Sequence, residues 1–99
     1  MNKNKTISQL LTTLEIEALL RECRLEEAYN QLNILLEKEP KNAYAWYLLG
    51  GIYRRQQLWG DAINAYNKAK MIDPTGPAAT AIEAIYEILN YRNTDMMNP

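Results

Sequence analysis

Between residues 43 and 71 the apolar positions recur at three- and four-residue spacing, the signature of helices with one buried face. Trp46, Leu49 and Tyr53, with Gly50 on the same stripe, predict a helix over 43–56. Asn42 is placed to cap it, accepting from a backbone N–H that the first turn leaves unpaired. Ala62, Tyr66 and Ala69 form the inward stripe of a second helix over 60–71, which Asp73-Pro74 ends because the residue before a proline avoids the α region. Gly50 costs about 1 kcal/mol inside a helix, so its presence predicts a close helix crossing, with Ala62 as the small residue that meets it. Upstream, Thr6 and Gln9 form a capping box before an apolar run containing Leu10, Leu14 and Leu20. Downstream, Thr75-Gly76-Pro77 reads as a turn with Pro77 at the first helical position, and helical composition continues to about residue 91.

Taken together, Trp46, Leu49, Gly50, Tyr53, Ala62, Tyr66, Ala69 and Pro74 resemble a tetratricopeptide repeat, in which W-x-x-L-G-x-x-Y is followed by A-x-x-x-F and P. Tyr66 stands in for the usual Phe. Counting back by the family period of about 34 residues moves Pro74 onto Pro40, Ala62 onto Ala28, Tyr66 onto Leu32, Ala69 onto Leu35 and Trp59 onto Leu25. The front of this first unit matches poorly, with Thr12, Glu15 and Ile16 where Trp46, Leu49 and Gly50 have their places. The resemblance implies an all-α, five-helix stack: a single domain over 1–92, with repeats at 9–42 and 43–76, a closing helix at 77–91, and a loose tail over 93–99.

The closing helix carries more apolar surface than a lid needs. Thr80, Glu83, Glu87 and Asn90 occupy an arc of about 80°, whereas packing on one neighbour requires an apolar stripe only somewhat wider than 100°. Ile82, Ile85, Tyr86 and Leu89 therefore mark a face for a partner or a second copy of the chain, unless the tail folds back and lays Met96 and Met97 on it.

Repeats of this family curve, and their first helices line the concave side. Tyr44, Tyr47, Gly51, Arg54 and Arg55 lie outside the core stripe of their helix, and Glu17 has the corresponding phase on the first helix. Ala78, Ala81, Ile82 and Ile85 have it on the closing helix. Tyrosines give stiff contact area with a polar tip, and arginine forks onto carboxylates. The expected groove suits an extended peptide or a partner helix. Some relatives hold a C-terminal carboxylate with a lysine, asparagine and arginine set, which Thr13, Glu17 and Leu48 do not supply.

Composition narrows the function further. The net charge of −1 offers no electrostatic attraction for nucleic acid or an anionic membrane. No apolar run reaches the roughly 20 residues of a bilayer span. With no histidine, the chain lacks the commonest general base and metal ligand. Its single cysteine, Cys23, has no internal disulfide partner, which fits a reducing cytoplasm. Glu26-Glu27 suits a helix N-terminus, and no acidic cluster has metal-ligand spacing. The expectation is a non-catalytic cytoplasmic module, without cofactor or metal, that binds another protein or peptide. The alternative is a homodimerising structural module whose groove holds no ligand.

Overall fold

Asn42 accepts a hydrogen bond from the Ala45 backbone N–H at 3.0 Å and donates to Glu39 Oε1 at 3.0 Å. It starts α3, Ala43–Arg55, as its position requires. The computed structural model describes the backbone of residues 3–97 and the side chains of residues 11–90. Around α3 stand α1 (Lys3–Arg21), α2 (Leu25–Lys38), α4 (Trp59–Ile72) and α5 (Ala78–Met97), and no strand occurs among the described residues. Each helix packs mainly on its neighbours in the chain, most extensively α3 on α4, where the repeat motif is complete.

The two helical hairpins share their turn geometry. Cys23 and Gln57, thirty-four positions apart, have φ of 60° and 61°. In the first turn, Cys23 N–H donates to Leu20 O and Arg24 N–H to Leu19 O. In the second, Gln57 N–H donates to Arg54 O and Leu58 N–H to Tyr53 O. Both are helix ends closed by a left-handed residue, here without the glycine usual at that position. The helix ends before Pro40 and Pro74 also agree: Glu39 has φ −133° and donates to Leu35 O, while Asp73 has φ −135° and donates to Ala69 O.

Two apolar clusters form the core. The first joins Ile16, Ala28, Leu32, Leu35, Leu36, Leu48, Leu49 and Ile52 across α1, α2 and α3. The second joins Ala62, Tyr66, Ala69, Ala78, Ile82 and Ile85 across α4 and α5. Trp46, Tyr47 and Tyr53 pack against both and bind them into one interior. Trp46 also donates its indole N–H to Pro40 O at 2.9 Å, and the Lys68 ammonium lies 4.7 Å from its ring centre.

Several sequence expectations are revised. Helix α1 is already under way at Lys3, so Thr6 lies within the helix and is not its cap. Ile16, in the poorly matching front of the first repeat, is fully buried. It occupies the position of Gly50, and Leu32 occupies that of Tyr66. Volume has moved from one helix to the other, from a small residue facing a ring to two aliphatic chains in one cluster. The group against Gly50 is Tyr66, not Ala62: a Cβ on Gly50 would stand 2.6 Å from Tyr66 Cδ1. At the other end, the backbone of α5 stays helical to Met97, so residues 93–97 of the segment expected to be loose continue the helix. The side chains of Met96 and Met97 lie outside the described residues.

The closing helix is also turned more inward than its composition indicates. Ile85 is 0% exposed and Ile82 is buried, both in the cluster shared with α4. Neither belongs to a free partner face or to a groove wall. Leu89 is half-buried against the same cluster, while Tyr86 stands 50% exposed. The apolar excess expected on α5 is largely consumed by α4, whose alanines at 62 and 69 let α5 bring its long aliphatic chains close.

Candidate protein-binding groove

The outer face of α3 presents Tyr44, Tyr47, Gly51, Arg54 and Arg55, which share this side because they recur at three- and four-residue steps. Tyr44 is 42% exposed, Tyr47 and Gly51 are half-buried, and both arginines are exposed. The Tyr44 hydroxyl donates to Glu17 Oε2 on α1, joining the first helices of the two repeats. Its ring stacks on Tyr47, with centroids 5.9 Å apart and planes 24° apart. Tyr47 in turn tilts against Tyr66, at 5.6 Å and 45°. The three rings form a continuous aromatic series from the exposed Tyr44 to the core ring of Tyr66, which is 3% exposed.

Electrostatics follow from these contacts. Donation to the Glu17 carboxylate, assisted by partial burial, pushes the Tyr44 phenol up to about 12. Burial raises the Tyr66 phenol, and the nearby Arg54 and Arg55 guanidinium groups act in the opposite direction. Arg55 donates from Nη1 to Leu20 O at 2.9 Å, a carbonyl in the last turn of α1 that also accepts from the Cys23 N–H. Among the described residues, no carboxylate forms an ion pair with Arg54 or Arg55.

Two hollows lie along this surface. One, of about 240 Å³, is lined by Leu20 of α1, by Tyr47, Leu48, Gly51, Arg54 and Arg55 of α3, and by Tyr66 of α4. The other, of about 60 Å³, lies between α3 and α5, with Ala43, Tyr44, Tyr47, Ala69, Pro77 and Ala78 among its walls and Asp73 at its edge. Tyr47 separates the two.

The structure therefore brings together the six groove residues expected from sequence: Glu17, Tyr44, Tyr47, Gly51, Arg54 and Arg55. Tyr66 keeps the core position that the repeat pattern assigns it, 3% exposed, and also lines the larger hollow. A Cβ on Gly51 would lie 3.7 Å from the Tyr66 hydroxyl, so Gly51 is the α3 residue that stands over the tip of this buried ring. The second glycine of the Gly50-Gly51 pair was the available signal, since only one is needed for the helix crossing. Elsewhere, Arg24 forks onto Glu27 at 2.7 and 2.8 Å and also donates to Glu22 at 3.0 Å, so its charge is occupied beside Cys23. No three His, Cys, Asp or Glu side chains gather as metal ligands among the described residues.

Comparison with known proteins agrees with this architecture. A search of solved structures finds the solution NMR structure of Bacteroides fragilis protein BF1650, with a TM-score of 0.74 and 33% identity, covering 99% of this chain and 91% of that one. Among curated proteins, the auxiliary subunit NAA15 of the Arabidopsis thaliana N-terminal acetyltransferase A complex is 33% identical over 64 residues. That match takes in 63% of this chain but only 7% of the relative's length. The tetratricopeptide repeat model matches residues 13–77. With two hairpins in the same turn geometry and a family match across most of its length, the chain belongs to the tetratricopeptide repeat family, a helical scaffold for contacts between proteins.

Proposed function

We propose that the chain is a small adaptor or accessory subunit that binds a partner protein through the groove lined by α1, α3 and α5. The observation that carries this reading is the Tyr44–Tyr47 ring stack running beside two arginines that, among the described residues, no carboxylate neutralises. Exposed stacked rings bring large contact area at little entropic cost, and guanidinium groups supply directional donors. The Arabidopsis relative is an auxiliary subunit of a complex, which fits an accessory role. Self-association through α5 is the weaker reading, because Ile82 and Ile85 are spent on α4.

The test is affinity purification of the tagged chain, with the captured proteins identified, alongside Arg54→Glu and Tyr86→Glu variants. Loss of a captured partner with Arg54→Glu, and its retention with Tyr86→Glu, supports the groove. The reverse pattern rejects it in favour of the α5 face.

A further inference from the structure

Resting on the groove reading above, we infer that the ligand is an extended acidic peptide that places a small aliphatic side chain in the hollow between α3 and α5 and a carboxylate side chain against Arg54 and Arg55, about five residues away. The two hollows differ in chemistry. The smaller is walled mainly by alanines, a proline and two tyrosine rings, with Asp73 and Gly76 completing the lining, and has room for one short aliphatic chain. The larger has the two guanidinium groups at its rim and the Tyr66 hydroxyl at its floor.

The spacing follows from helix geometry. Ala43 and Tyr44 line the first hollow, and Arg54 and Arg55 the second. At 1.5 Å per residue these positions are about 16 Å apart along α3. An extended chain advances about 3.3 Å per residue, so about five residues cover the distance.

Charge selects the acidic partner. Arg54 and Arg55 have no carboxylate partner among the described residues, while Glu17 accepts from Tyr44 and Asp73, in the wall of the smaller hollow, accepts from the Thr75 backbone N–H and hydroxyl. An internal acidic side chain fits better than a chain terminus. The side-chain set that holds a C-terminal carboxylate in some relatives is not supplied by Thr13, Glu17 and Leu48, and the walls of this hollow are helix interiors that offer no cluster of free backbone N–H groups for a terminus.

The experiment is fluorescence anisotropy of the full chain with synthetic peptides, amidated at the C-terminus, each bearing one Val and one Glu separated by three to seven positions. Binding strongest near a five-residue separation is expected. Val→Ala in the peptide should weaken it about tenfold or more, as loss of an aliphatic group from a fitted pocket does. Glu→Gln should weaken it about two- to fivefold, in the range of exposed ion pairs. On the protein side, Arg54→Glu should abolish the preference for Glu over Gln, and Ala43→Leu the preference for Val over Ala. The peptide substitutions leave the protein's fold untouched, so the test does not depend on the variants folding. Absence of binding, indifference to spacing, a preference for Lys over Glu, or binding that requires a free C-terminal carboxylate would each overturn the inference. If a protein partner is still captured in an Arg54-dependent manner, the groove reading survives that failure.

Discussion

The backbone of Gly50 lies against the ring of Tyr66, so closely that an added Cβ would sit 2.6 Å from Cδ1 and 2.7 Å from Cε1. Its neighbour Gly51 meets only the Tyr66 hydroxyl, at 3.7 Å. Two adjacent glycines of one helix thus have different reasons to be small: the first admits α4, and the second keeps the groove open above a tyrosine tip. Gly50→Ala should destabilise the chain by about 1–3 kcal/mol, the usual cost of overpacking, because the ring is held by Tyr47 and the core. Gly51→Ala meets ordinary contact distances and should stabilise α3 by up to about 1 kcal/mol. Chemical denaturation of both variants tests the difference, and equal effects would contradict the helix phase described here.

The two left-handed turn residues offer a second test. Cys23 and Gln57 carry side chains at φ near 60°, a conformation costly to L-residues by about 1–2 kcal/mol but open to glycine. Gln57→Gly and Cys23→Gly should each raise stability, by about 0.5–1 kcal/mol after the greater unfolded-state entropy of glycine is taken into account. Urea midpoints that fall would show that the side chains contribute more at these turns than their backbone strain costs.

The Tyr44–Glu17 contact predicts an alkaline transition. Tyrosine normally ionises near 10, and Tyr44 is raised to about 12, first by its hydrogen bond to Glu17. Between these values the folded chain keeps a proton that the unfolded chain releases, so stability falls as pH rises. The contribution is complete below pH 10 and gone once the pH has passed through 12. Tyr53, raised to about 12 chiefly by its hydrogen bond to Tyr29, acts in the same direction. Tyrosinate absorbance should show late-titrating residues, and Glu17→Gln should bring one of them down. An unchanged titration would show that Tyr44 does not hold Glu17 in solution.

Ile85 and Tyr86, adjacent on α5, should separate sharply. Ile85 is 0% exposed and Tyr86 50%. Ile85→Glu should cost more than about 3 kcal/mol, by removing a buried aliphatic chain and placing a carboxyl in the core. Tyr86→Glu should remain within about 0.5 kcal/mol of the parent, as surface substitutions usually do. Thermal melts distinguish the two, and a folded Ile85→Glu chain of near-parental stability would place Ile85 outside the core.

Much of this molecule could be read from the chain because its signals are local. Helix periodicity, the Asn42 cap, the prolines at 40 and 74 and the thirty-four-residue offset each act within a few turns of backbone. They determine five helices, two alike hairpins and the side of α3 that faces away from the core. They do not determine which neighbour meets a given stripe, because a helix that is apolar around much of its circumference can rotate at little cost to its local pattern. Packing against α4 alone turned Ile82 and Ile85 inward, set Tyr66 rather than Ala62 against Gly50, and carried the Tyr66 hydroxyl to the groove floor. Those outcomes depend on filling volume between helices distant in sequence, a condition that only the assembled tertiary structure imposes.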